Sequence, residues 1–457
     1  MASHEKFSFA NLDQLRQKIG DLGVDIGLTS DLSPLQKPVR VGAFVAPNAL
    51  AVLPMEGCDS QPDGSPSELV ERRYQRFAGG GAGLLWWEAC AVVEEGKAND
   101  LQMMMTKQNV GQFATILTKA NGEAARLNGA DHRPINVLQL THSGRYSRPH
   151  GHKMIPIAPQ HDPLLDPRVG LTPDSPLVSD GYLDDMIGQY AQSAKLAMDA
   201  GFDGVDIKAC HRYLISELLA SHTRQGKYGG CFENRSRFLR EVIGAVRRET
   251  GSGFLIACRF NAFDAHPYPY GFGGDQENLW RFDPTEPALL TRLLVELGVG
   301  LLGNSAGNPY YVYPQVTRPF DLASAGVPLP NEHPLESVAR LFAITRAIQK
   351  EAGQVPVVGT GFSWLRQFIP FAGAASIASG GCAFVGLGRS SFAYPDAPRD
   401  ILRTGAMDAQ KCCVACSRCT QIMRDHGRTG CVIRDAHIYG PLYTQYREEA
   451  MAREAKK

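Results

Sequence analysis

Hydrophobic and polar positions divide this 457-residue chain into three textures. Residues 1–38 are largely polar, with Leu12, Leu15, Ile19 and Leu22 at helical spacing before a turn-rich stretch that ends at Pro38. This segment is expected to form a lid over one end of the protein. From Val39 onward, short apolar runs alternate with longer amphipathic ones. Ala49–Pro54, Gly83–Trp87, Ile135–Leu140, Gly204–Ile207, Leu255–Phe260, Leu301–Asn304, Val355–Val358 and Phe384–Gly386 read as strands. Tyr182–Ala200, Arg235–Thr250, Glu286–Leu297 and Pro334–Ala352 read as helices between them. Eight such runs with helices between them predict an α/β fold, a parallel TIM barrel over residues 39–405. The third texture is a cysteine-rich segment at 406–440, followed by a charged tail at 441–457.

A doubly wound sheet would place a Gly-x-Gly-x-x-Gly turn directly after an early strand. Here Gly79-Gly80-Gly81 precedes its strand, which marks the end of a helix rather than a phosphate cradle.

Composition narrows the partners. Lys plus Arg and Asp plus Glu each number 47, so the net charge is zero and no global field favours nucleic acid or an anionic membrane. The N-terminus lacks an apolar core of signal-peptide length, and no stretch reaches 18 apolar residues. A cytoplasmic protein is expected, in which eleven cysteines serve as thiols or metal ligands rather than disulfides.

Five of those cysteines fall between Cys412 and Cys431. Cys413, Cys416 and Cys419 at Cys-x2-Cys-x2-Cys spacing can take three corners of a cube, with Cys431 closing the fourth, which suits a [4Fe-4S] cluster. Structural zinc more often uses two separated Cys-x2-Cys knuckles and stays as the alternative. Cys412-x3-Cys416 is also a ligand pair, so the register between Cys412 and Cys413 stays open.

Polar residues follow the expected strands, where barrels carry their chemistry. Pro54-Met55-Glu56-Gly57-Cys58 follows the first, Glu88-Ala89-Cys90 the second, Gln139 to Arg145 the third and Lys208-Ala209-Cys210-His211-Arg212-Tyr213 the fourth. Arg259 ends the fifth. Gly359-Thr360-Gly361 and Gly386-Leu387-Gly388-Arg389 follow the last two, where backbone N–H groups and a guanidinium can clamp a phosphate. Such a site suits a phosphorylated planar redox cofactor with substrate stacked on it. Tyr268, Tyr270, Tyr310, Tyr311 and Tyr313 could wall the pocket for a flat substrate, and His142 either orients neighbours or touches ligand.

These segments resemble the old yellow enzyme family (NADH:flavin oxidoreductases), and most closely its iron-sulfur branch with 2,4-dienoyl-CoA reductase, trimethylamine dehydrogenase and bile-acid-type enoate reductases. The motifs are Pro47-Asn48 through Asp59, Gln139–Arg145, Tyr228–Phe238 and Gly386–Arg389, within a similarity that runs from about Asp31 to Asp435. The resemblance implies non-covalent FMN and an adjacent [4Fe-4S] cluster. It places Met55, Glu56 and Ala89 beside the flavin ring, Gln139 on its polar edge, Arg259 at N1 and O2, and Gly361, Gly388 and Arg389 on the phosphate. Cys413, Cys416, Cys419 and Cys431 would hold the cluster.

By the same resemblance His211 and Lys208 would bind a substrate carbonyl and Tyr213 would donate a proton. The family usually has a histidine where this chain has Lys208, which could bind an enolate or pair with an acid such as Asp206. The implied activity is an ene-reductase acting on a C=C bond conjugated to a carbonyl. Amine dehydrogenation or demethylation, and an electron-transfer subunit, are the alternatives. No second Gly-x-Gly-x-x-Gly region follows the cysteines. The electrons are therefore expected from a separate ferredoxin, flavodoxin or reductase subunit, with NAD(P)H as an alternative direct donor. A homo-oligomer is compatible with all of this.

Overall fold

The computed structural model describes residues 3–310, 316–322 and 328–455. Tyr311 and Tyr313 lie outside the described residues. A two-stranded antiparallel hairpin, β1 (Val39–Val41) and β2 (Phe44–Ala46), precedes eight parallel strands. These are β3 (Leu50–Val52), β4 (Leu84–Ala91), β5 (Ile135–Thr141), β6 (Gly204–Ile207), β7 (Leu255–Phe263), β8 (Leu301–Ala306), β9 (Val357–Gly359) and β10 (Phe384–Leu387). Each strand pairs with the next, and β10 returns to β3 with Val385 opposite Leu50, so the sheet closes into a barrel. All eight expected strands are present. Their near-continuous apolar character follows from burial on both faces, by the barrel interior on one side and by helices on the other.

The four expected helices form at Asp180–Asp199, Phe232–Thr250, Thr285–Glu296 and Pro334–Ala352. Two more, Glu68–Gly79 and Val110–Asn128, lie between β3 and β5. The first of them ends at Gly80, so the glycine run is a helix-end connection, as its position before β4 implies.

The hairpin was not foreseen. Val41 and Ala46 pack with Leu84, Ile135, Leu255 and Leu301, the first residues of their strands, and so plug the barrel's N-terminal end. In the helix Leu12–Leu22, Leu15 and Ile19 share a core with Leu335, Phe342 and Trp364. Cys412 and Ala415 join that core. The cysteine-rich segment is thereby tied to the barrel, and further bonds hold it over the C-terminal end. Thr429 N–H donates to the Gly57 carbonyl at 2.6 Å, and Asp435 accepts Arg72 and Arg76, each at 2.7 Å.

Candidate active site

A cavity of about 610 Å³ opens at the C-terminal ends of the strands. Of the residues expected there, Met55, Glu56, Gln139, Lys208, His211, Tyr213, Arg259, Gly361, Gly388 and Arg389 line it. Ala89 does not; it is buried in β4, and its carbonyl accepts a bond from Gln102. The pairing of β4 with β5 slips between Trp87 and Ala89, leaving Glu88 as the extra residue of a bulge. Glu88 turns to Arg73 at 2.6 Å and accepts the Gly57 N–H at 2.7 Å, while Arg73 also grips Asp59 at 2.7 Å. This buried group anchors the loop that carries Met55 and Glu56.

Asp206 organises the cavity floor. Its carboxylate accepts Gln139 Nε2 at 2.6 Å, Trp86 Nε1 at 2.9 Å and the backbone N–H of Arg259 at 2.7 Å. Burial pushes its pKa up to about 6, against the pull of those bonds. Engaged in this way, Asp206 does not pair with Lys208. Lys208 Nζ instead meets Glu56 Oε1 at 3.0 Å and stands 4.3 Å from the centre of the Tyr213 ring.

His211 and Arg212 both adopt left-handed backbone, with φ of 64° and 60°, a strained arrangement for residues other than glycine. A buried ionic network holds the turn: Arg212 contacts Asp264 at 3.0 Å and Asp162 at 3.4 Å, and Arg145 contacts Glu217 at 2.6 Å and also Asp166. The turn brings His211 Nε2 to Ser305 Oγ at 3.1 Å and the Tyr213 hydroxyl to that of Tyr310 at 3.1 Å. Burial, then Arg259 and Lys208, hold His211 well below its usual pKa, so the imidazole is neutral. Burial, then Tyr310 and Glu56, raise Tyr213 well above the ordinary phenol value, so its proton is retained.

At the opposite wall Gly361 has φ of 96°, and a Cβ there would come within 2.9 Å of Leu341. Only glycine fits that turn. Gly388 and Arg389 stand beside it in the cavity lining, while Arg389 Nη2 donates to the Pro319 carbonyl at 3.0 Å. Among the described residues Arg259 Nε is buried without a hydrogen-bond partner. This set can receive a phosphate at one end and an electron-rich ring edge at the other.

Cys413, Cys416, Cys419 and Cys431 line one second, small cavity from which Cys412 is absent. Cys412 is buried elsewhere, with its sulfur on the Asp408 carbonyl. Backbone N–H groups of Ala415 and Arg434 point to Cys413 and Cys431 sulfurs at 3.4 and 3.3 Å. Among the described residues, no group of three or more His, Cys, Asp or Glu side chains is arranged to hold a metal ion. Cys419, Arg389 and Phe392 line both cavities, so the cysteine-rich segment is a wall of the active site.

Residues that sequence reasoning passed over also line the main cavity, including Tyr146, Arg148, Arg318, Arg424 and His426. The Tyr146 and Tyr310 rings stack at 3.7 Å. His142 is a bracing residue: it accepts the Gly144 N–H and bonds Tyr182, and burial lowers its pKa to about 4. Tyr268 is exposed and outside the cavity. Among the described residues no helix is long and apolar enough to cross a membrane.

Residues 34–269 match the NADH:flavin oxidoreductase / NADH oxidase family. The chain is 25% identical over 389 residues to a metal reductase of Desulforamulus reducens, covering 85% of this chain and 51% of that one. It is 27% identical over 384 residues to an NADH oxidase of Thermoanaerobacter brockii, covering 83% and 52%. It thus spans about half the length of these curated relatives. Among solved structures, 2-naphthoyl-CoA reductase superposes with a TM-score of 0.67 at 18% identity, covering 88% of this chain and 57% of that one. The old yellow enzyme homologue from Zymomonas mobilis gives 0.59 at 21% identity, covering 82% and 94%. These superpositions agree on the barrel, and with the family match over more than half of the sequence the chain belongs to the NADH:flavin oxidoreductase / NADH oxidase family, the old yellow enzymes.

Proposed function

We propose that this flavin oxidoreductase reduces a C=C bond conjugated to a carbonyl. The observation that carries this reading is the meeting of His211, Lys208 and Tyr213 in one cavity, with the tyrosine held protonated. When bound, FMN would supply a hydride to the β-carbon of the substrate. Gly361, Gly388 and Arg389 would hold its phosphate, Met55 and Glu56 would border its ring, and Gln139 and Arg259 would meet the polar edge. The partnerless Arg259 Nε and the side-chain-free turn at Gly361 fit such a ligand. His211 and Lys208 would polarise the carbonyl by donating hydrogen bonds to its oxygen, where negative charge accumulates. Tyr213 would protonate the α-carbon as general acid, with Tyr310 on its hydroxyl.

The four cysteines of the small cavity would hold a [4Fe-4S] cluster, whose corners lie farther apart than the ligands of one ion, and the N–H donors on two of the sulfurs suit it. The cluster would pass on electrons from a separate donor protein, a ferredoxin, flavodoxin or reductase subunit. The names of the relatives also support NAD(P)H as a direct donor. An amine dehydrogenase would use Tyr146, Tyr213 and Tyr310 as a cage for a cationic substrate. Among the described residues, six arginines and Lys208 around the cavity, against Glu56 as the one lining carboxylate, oppose a cation there.

The test is Tyr213→Phe. Turnover of an enone should fall roughly 10²- to 10⁴-fold while flavin reduction keeps its rate. Undiminished turnover would sink the reading. In the same preparations Cys416→Ser should lose iron and sulfide and Cys412→Ser should keep both; zinc without iron would overturn the cluster.

A further inference from the structure

Lys208 is matched by Glu56, and the flavin proposed above accounts for Arg259 and Arg389. Arg318 stands with the latter, its Nη2 on Thr420 Oγ1 at 2.9 Å. Arg148 has no such explanation. It follows β5, and its Nη1 donates to Nε2 of His426, which comes from the cysteine-rich segment, at 2.7 Å. Burial, then Arg148 itself, lowers His426 to about 3, so this imidazole orients the guanidinium without cancelling its charge. Among the described residues no carboxylate lies within ion-pair distance of Arg148, and its Nε is buried without a partner. Its charge is felt by the Tyr310 and Tyr213 phenols, which places it at the proton-delivering side of the cavity. A partly buried guanidinium without a counter-charge is costly, and its planar fork matches a carboxylate or phosphate.

We propose that Arg148, oriented by His426, receives an anionic group of the substrate remote from the reacting carbonyl, and so selects charged over neutral unsaturated carbonyl compounds. The proposal rests on the reductase reading for the identity of the reacting group. The preference for charge is measured by binding alone.

The experiment is calorimetric titration of the oxidised, full-chain holoprotein with two matched pairs of probes. One is an aryl enone bearing a para-carboxylate, against its methyl ester; the other is cinnamoyl-CoA, against the neutral N-acetylcysteamine thioester of cinnamate. In the wild type the charged member of at least one pair should bind about 10- to 100-fold tighter. Which pair shows the preference tells a carboxylate from a phosphate. In Arg148→Gln the preference should shrink to about threefold or less with the neutral member's affinity unchanged, and Arg148→Lys should restore part of it. Equal binding of charged and neutral members in the wild type, or a preference that survives in a flavin-replete Arg148→Gln, would overturn the proposal. Because no reductant is present, the preference can persist even if Tyr213→Phe shows the reaction assignment to be wrong.

Discussion

Two sets of buried or half-buried arginines behave in opposite ways. Arg73, Arg145 and Arg212 each contact at least two carboxylates and stand outside the cavity lining. Arg148, Arg259, Arg318 and Arg389 line the cavity, and among the described residues none has a carboxylate within ion-pair distance of its guanidinium. In this second set burial and Arg389 lower Arg318 to about 9. Where the fold needs a guanidinium to hold a strained turn, the chain brings its own counter-charge. Where it faces the cavity, the flavin and the substrate anion proposed above would supply the counter-charge.

The contrast can be broken most severely from the paired side. Arg212→Met leaves Asp264 buried without its cation and removes one of the two cationic or imidazole partners of Asp162 and of Glu217, and denaturant unfolding should show a loss of about 3–5 kcal/mol. A loss below about 1 kcal/mol would mean that the network does not hold the turn.

Next comes the acid beside Arg259. With a folded pKa of about 6 against an ordinary 3.8, Asp206 binds more protons folded than unfolded between those values. Its contribution to stability is therefore largest below about pH 4, falls by up to about 3 kcal/mol as the pH rises to about 6, and is flat above that. Unfolding midpoints of flavin-free protein across this range should show the fall in wild type and lack it in Asp206→Asn. If the two pH profiles run parallel, Asp206 is ionised throughout and Arg259 belongs with the neutralised set.

The smallest effect is expected from the cavity side. Arg389→Ala should weaken flavin retention by about 1.5–3 kcal/mol, read from the fluorescence of released flavin, while leaving the flavin-free protein within about 1 kcal/mol of wild type. Equal losses in both measurements would place Arg389 among the structural arginines.

The barrel was legible because its signals are local. Each apolar run announces a strand, and residues after its end face the C-terminal opening by topology alone. That logic found Met55, Gln139, Arg259 and Arg389. It did not find what depends on which distant side chains meet. Lys208 pairs with Glu56 from β3's loop rather than Asp206, because Gln139 and Trp86 already occupy that carboxylate. The Arg148 contact with His426 crosses 278 positions and joins segments that show no common pattern. The Val39–Ala46 hairpin was missed because its three-residue strands are buried at one end only, whereas the equally short β3 and β9 are buried throughout and read as continuous apolar runs. Cys412 shows the same limit at short range: only its direction excludes it from the small cavity.

The wall shared by Cys419, Arg389 and Phe392 has a consequence for inheritance. A recombination event that imported a foreign cysteine-rich segment would put at risk, in one stroke, the His426 partner of Arg148 and the Asp435 partner of Arg72 and Arg76. Segment and barrel are therefore bound to diverge together, and chimeras between relatives should cross over before β3 or not at all.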